Sequence, residues 1–207
     1  MTNWLHEERL EASHAVVRAS GAASVLDLGC GDGDFFVRLA QSGGIERLVG
    51  LDICAASLAR LRQRLARTPP RVPVVELRRA SMTQADPSLA GFDCAVLIET
   101  IEHIDPGCLS QLERAVFGTM RPRMVVVTTP NAEFNPLLGV PQHRFRHPDH
   151  RFEWRRPQFR AWGQRVAAAA GYSAQFSDIA GLHPDCGGAS QMAVFRRPDS
   201  AARPGPA

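Results

Sequence analysis

Short runs rich in Val, Ile and Leu recur at residues 24–28, 48–52, 73–77, 92–98 and 124–128. Between most of them the apolar positions fall at helical spacing, most clearly in ASLARLRQRLAR, where Leu58, Leu61 and Leu65 share one face. Strands alternating with helices of this length form βαβ units, so the expected fold is α/β with a mostly parallel, doubly wound sheet. Runs such as VLIE and VVVTT suit strands covered on both faces. A leading helix is expected over 4–20. Past Pro130 the pattern lapses until a helix near 156–170, followed by strands at 172–177 and 191–196. With 207 residues and 44% apolar content there is chain for one sizeable core, so a single domain over 1–197 is expected, with 130–157 an irregular insertion. An irregular stretch longer than about 15 residues inside a compact domain is usually functional. The tail PDSAARPGPA (198–207) is too rich in Pro, Gly and Ala to pack and is expected to be disordered.

Composition narrows the classes. The first residues lack an apolar targeting segment and no stretch reaches the roughly 18 apolar residues that span a bilayer, so a cytoplasmic location is expected. Five cysteines stand singly without a CxxC pair, which argues against a disulfide framework or zinc knuckle; they read as small, reduced core residues. The net charge of +3 is small, but QHRFRHPDHRFEWRRPQFR (142–160) holds six arginines against one Asp and one Glu, with Phe145, Phe152, Trp154 and Phe159 interleaved. Guanidinium forks on phosphates and aromatic faces on bases would suit single-stranded nucleic acid. Composition alone leaves equally open a solvated loop and core aromatics.

The first chemical motif is VLDLGCGDG (25–33). A strand ending in Asp27 runs into Gly29, Gly31 and Gly33, where glycines let a ligand approach the backbone. The next strand ends in Asp52, placed to hold a ribose diol. A dinucleotide would fit the same outline, but Asp27, Asp32 and Asp34 would repel pyrophosphate. S-adenosylmethionine presents an ammonium and a sulfonium instead. The loop resembles the D-x-G-x-G-x-G motif of the Rossmann-like class I S-adenosylmethionine-dependent methyltransferases. That resemblance implies a cofactor site including Ser81 and Met82, where many relatives carry an acid near the adenine.

The second motif is IETIEHIDP (98–106), at the carboxyl end of the fourth strand, the edge where open α/β sheets bind ligands. A helix starting there would put Glu99, Glu102 and His103 on one face, as metal ligands or as the acidic first turn of an ordinary helix. ETIEHID, VVVTTPNAEFN and HRFRHPDHRFEWRRPQF together resemble the small-RNA 3′-terminal 2′-O-methyltransferase family, the catalytic domain shared by plant and animal small-RNA methyltransferases and bacterial RNA-repair methyltransferases. The similarity runs over roughly residues 5–196. It implies a divalent metal held by Glu99, Glu102, His103 and His150, bridging the two hydroxyls of a 3′-terminal ribose, and methyl transfer to its 2′-OH.

The chemistry agrees. A ribose hydroxyl is a poor nucleophile, the chain has no lysine to activate it, and a metal is the remaining Lewis acid. Two carboxylates with two imidazoles suit manganese better than magnesium, although magnesium is abundant. Water or His147 would take the proton. The RNA would need a free 2′,3′-diol, its phosphates held by Arg144, Arg146, Arg151, Arg155 and Arg156, with Thr129 and Asn131 in the ribose wall. A protein partner in RNA end repair is a further implication. Arg155 departs from the threonine common after F-E-W. The competing readings are a small-molecule methyltransferase and a non-catalytic module that binds RNA 3′ ends.

Overall fold

The computed structural model describes residues 4–198. The tail expected to be disordered lies outside the described residues from position 199 on. The elements follow the apolar pattern. Helix α1 (Trp4–Ala19) leads into β1 (Ser24–Leu28), α2 (Asp34–Ala40), β2 (Arg47–Asp52), α3 (Ala55–Arg67) and β3 (Val74–Arg79). Then come β4 (Cys94–Ile98), α4 (Leu109–Glu113, prolonged by the π-helical stretch Arg114–Met120), β5 (Met124–Pro130), α5 (Arg156–Ala170), β6 (Ser173–Ile179) and β7 (Ser190–Arg196). No helix among the described residues is long and apolar enough to cross a membrane.

The strands form one seven-stranded sheet in the order β3-β2-β1-β4-β5-β7-β6. Pairs among β1 to β5 are parallel, whereas β7 runs antiparallel to both β5 and β6. Successive strand side chains point to opposite faces, which accounts for the two cores. Leu26, Leu28, Ala95, Leu97, Val125 and Val127 pack with α4 and α5. Val25, Leu48, Val96 and Val126 pack with α1, α2 and α3. Chain order reverses between β1 and β4, and the crevice at their carboxyl ends is the usual ligand position in such sheets.

Two expectations need correction. The spacing of Glu99, Glu102 and His103 suggested one helical face, but Glu99 has φ 50° and only a 3₁₀ turn, Ile101–His103, follows. The Glu99 amide donates to the backbone and side-chain oxygens of Thr128, so the chain is still tied to β5 where a helix would have to begin. Nor are all cysteines buried: Cys30 and Cys94 are, Cys54 is exposed, and all five are free thiols.

The irregular segment is fastened by aromatics and one arginine. Phe152, Trp154, Phe159 and Trp162 form a continuous stack, with Phe159 1% exposed, so these rings belong to the core; Phe145 stands out at 47% exposed. Arg146 donates from Nη1 to the Ala189 carbonyl (2.6 Å), from Nη2 to the Asn131 carbonyl, and from its amide to Glu153 Oε1 (2.7 Å), pinning the segment to the ends of β5 and β7. Removing the stack's centre should loosen this anchoring. Phe159→Ala is expected to cost about 3–5 kcal/mol, and the melting temperature followed by circular dichroism should fall by ~10 °C.

Candidate functional site

Two loops leave the sheet at the switch point. Behind β1, the Gly29 and Cys30 amides donate to the Leu51 carbonyl, which curls the chain tightly against β2. Gly29 has φ 83°, and a Cβ there would meet Thr100 Cγ2 at 2.2 Å, so the close packing of the two loops requires glycine. Gly31, at φ 53°, has open space where a Cβ would point. The loop borders a cavity of about 210 Å³ lined by residues from α1, this loop and the end of β4, Glu99 included.

The acids at this cavity differ in how their charge is met. Asp32 is bound by both forks of Arg60 (2.8 Å each), and Asp34 by Arg64 (2.6 Å) and His6 (3.4 Å). These two acids, expected to repel phosphate, are thus largely neutralised. Asp27 is 2% exposed, its Oδ2 has no hydrogen-bond partner, and burial, with repulsion from Asp52, pushes its pKa up to about 7. Asp52 accepts from the Gly31 amide (2.8 Å) and the Cys54 amide (2.7 Å); this fixes the carboxylate and leaves each oxygen a second lone pair. Ser81 is turned to Thr83 (2.7 Å between hydroxyls), and Met82 lies against Gly29.

Behind β4 stand the two glutamates. Glu102 is fully buried and Thr129 Oγ1 donates to its Oε2 (3.0 Å), while Oε1 is buried without a partner. Burial, then repulsion from Glu99, pushes the Glu102 pKa well up. Glu99 Oε2 accepts a short bond from Arg9 of α1, and its Oε1 is likewise buried without a partner. Two partnerless carboxylate oxygens in neighbouring side chains are donors of the kind that fit a hard cation.

The imidazoles gather beside them. The Arg151 amide donates to the Glu102 carbonyl (2.7 Å), drawing the irregular segment onto the 3₁₀ turn. Ligand nitrogens of His103, His147 and His150 all lie within 4.8 Å of one another. Among the described residues this is the one such group, and neither glutamate is within it; Glu99 is bound by Arg9 and Glu102 by Thr129. The predicted quartet is therefore not gathered as one set: His103 and His150 converge together with His147, and the two glutamates stand outside that group. Hydrogen-bond partners assign the protons. His150 Nδ1 lies 2.6 Å from Glu153, whose side chain is 1% exposed, so Nδ1 carries the proton and Nε2 keeps a free lone pair. His147 Nδ1 instead accepts from the Asp149 amide (3.2 Å), so the neutral ring carries its proton on Nε2 and is a donor there. Burial, then its histidine neighbours, lowers the His103 pKa and favours a neutral imidazole.

The remaining predicted contacts divide. Asn131 is buried and spent on the Cys186 and Gly188 carbonyls and on capping Glu133, so it forms scaffold; Thr129 orients Glu102. Arg146 is the strut described above, and Arg156 is paired with Glu133 (2.8 Å) and Asp178 (3.5 Å). Arg144, Arg151 and Arg155 are exposed and form no ion pair among the described residues. Sequence reasoning missed Arg9, which nothing in the leading helix distinguishes, and Glu153, whose position three residues after His150 was visible in the motif.

A general methyltransferase-domain model matches residues 25–123, the half that holds the glycine loop, Asp52 and both glutamates. The methyltransferase domain of bacterial CtHen1 is 35% identical, covers 93% of this chain and 99% of its own, and superposes with a TM-score of 0.82. The chain belongs to the small-RNA 2′-O-methyltransferase family. The chicken (Gallus gallus) small RNA 2′-O-methyltransferase is 40% identical over 92% of this chain, and the small RNA methyltransferase HEN1 structure 32% identical with a TM-score of 0.86 over 96% of it. The chain spans about half the length of the curated chicken relative and about a quarter of the HEN1 chain. Within this small-RNA 2′-O-methyltransferase family member the fold is that of the class I S-adenosylmethionine-dependent methyltransferases.

Asp27 gives a stability test. Its folded pKa of about 7 lies above the unfolded value near 4, so between those limits the native state holds the extra proton and stability falls as pH rises, by up to ~1.4 kcal/mol per pH unit. Asp27→Asn removes that slope. The variant should melt several degrees above the parent at pH 8, the difference closing as pH falls toward about 4, in thermal scans without cofactor.

Proposed function

We propose that the chain transfers the methyl group of S-adenosylmethionine to the 2′-OH of the 3′-terminal nucleotide of RNA, with a divalent cation held by Glu99, Glu102, His103 and His150. The observation that carries this reading is the pair of buried, partnerless oxygens, Glu99 Oε1 and Glu102 Oε1, beside converging imidazoles. A buried carboxyl with a bare oxygen either keeps its proton or takes a positive partner, and a divalent cation is such a partner. His150 is preferred to His147 because Glu153 leaves its Nε2 free, the usual support for a metal-ligating histidine. A bound manganese or magnesium ion would supply Lewis acidity to the attacked hydroxyl.

The chain's own groups do the rest. Asp27 would hold the cofactor's ammonium and Asp52 its ribose, and the glycine loop would let the adenosine approach the backbone. In the displacement the ribose 2′ oxygen bonds to the methyl carbon as the carbon–sulfur bond breaks. The sulfonium takes that electron pair and leaves as a neutral thioether, and the hydroxyl proton passes to water. Arg144, Arg151 and Arg155 meet the last phosphates, with Phe145 as the exposed ring for a base.

Labelled S-adenosylmethionine, Mn²⁺ and a short RNA test this directly. Label should pass to an RNA with a free 3′-terminal diol and to neither its 2′-deoxy nor its 3′-phosphate counterpart; transfer to a small molecule alone would replace the reading. Glu102→Ala and His150→Ala should abolish transfer, with cofactor affinity measured without Mn²⁺ nearly unchanged. Equal loss of cofactor binding would contradict their placement.

Three free arginines also set the salt dependence. The logarithmic slope of RNA affinity against salt should be about −2, and each Arg→Ala change at 144, 151 or 155 should reduce it by ~0.7, whereas Arg146→Ala should act mainly through stability.

A further inference from the structure

Glu99 offers different partners on its two oxygens. Oε1 is buried and bare, and Oε2 is held by Nη1 of Arg9, which also donates to Ser190 Oγ (3.1 Å). Arg9 Nη2 lies 3.0 Å from His6 Nδ1, and its buried Nε has no partner. Among the described residues Arg9 is the one guanidinium lining the cavity behind β1; the acids there are Asp27, Asp32, Asp34 and Glu99. An amino-acid-bearing cofactor brings an ammonium, which suits Asp27, and a carboxylate, for which Arg9 is the available guanidinium.

We propose that Glu99 and Arg9 couple the cation site to the cofactor pocket, so that a divalent ion on Glu99 strengthens binding of the cofactor's carboxylate. This rests on the function proposed above. A cation at Oε1 withdraws charge from the carboxylate, weakens its hold on Arg9 and leaves the guanidinium to the cofactor. By linkage the cofactor must strengthen cation binding by the same factor. The neutral product S-adenosylhomocysteine isolates the effect, because it keeps the carboxylate and lacks the sulfonium charge that would repel a metal.

Calorimetric titration of the full chain with S-adenosylhomocysteine, with and without saturating Mn²⁺, tests the coupling. Mn²⁺ should lower Kd by about 5–10-fold, and S-adenosylhomocysteine should lower the Mn²⁺ Kd by an equal factor. The decarboxylated amine, which keeps the ammonium, should show no such effect, nor should Arg9→Gln with S-adenosylhomocysteine. Arg9→Lys, which retains the charge, should keep part of the coupling. Melting curves like the parent's for both variants exclude a folding defect. Mn²⁺ that binds without changing cofactor affinity, or coupling that survives in Arg9→Gln, would overturn this proposal alone. If electron paramagnetic resonance finds no Mn²⁺ bound, the cation reading falls and the coupling with it.

Discussion

A carboxylate taken out of water must find something for each of its oxygens, and Glu102 has found it for one. Thr129 donates to Oε2, while Oε1 is buried and bare, in a side chain with no exposed surface and a second acid beside it. Such an arrangement is costly in a protein that holds nothing there, because burial and like charge both oppose ionisation. The end of β4 follows from this constraint. The left-handed turn at Glu99 and the backbone bond from Arg151 bring the irregular segment, with its imidazoles, onto the turn that carries both glutamates, and Glu153 leaves a lone pair free on His150.

Topology decides why two chemistries can meet. The order β3-β2-β1-β4-β5-β7-β6 makes β1 and β4 neighbours, so the loops behind them open into one crevice. A buried acid near the end of β1 and two acids behind β4 stand on its two sides. Gly29 lets the loops pack, since any larger residue would meet Thr100. The arginine on α1 then touches both sides, through Glu99 and through the cavity.

Much of this was legible in the chain. Unalternated apolar runs and the leucine spacing in α3 marked the doubly wound sheet, and β1 and α5 fall where the pattern places them. The glycine loop and the acids behind β1 and β2 were local signals, each carried within a few residues. What failed to show was tertiary. The spacing of Glu99, Glu102 and His103 imitates a helix, but Thr128 of the neighbouring strand takes the Glu99 amide and breaks it. Arg146 and Arg156 look like their neighbours in the arginine-rich run; their partners, Ala189 and Glu133, lie 43 and 23 residues away. Phe152 and Trp154 of the same run joined the core because Phe159 and Trp162 of α5 pack against them, whereas Phe145 stayed exposed.

The central claim is that the bare oxygens and the imidazoles share one ion. Crystals of the chain grown with Mn²⁺ and its anomalous difference map measure this directly. The account predicts a single strong peak coordinated by Glu99, Glu102, His103 and Nε2 of His150. A peak bound by the three histidines alone, with both carboxylates still turned to Arg9 and Thr129, or no peak at all, would contradict it.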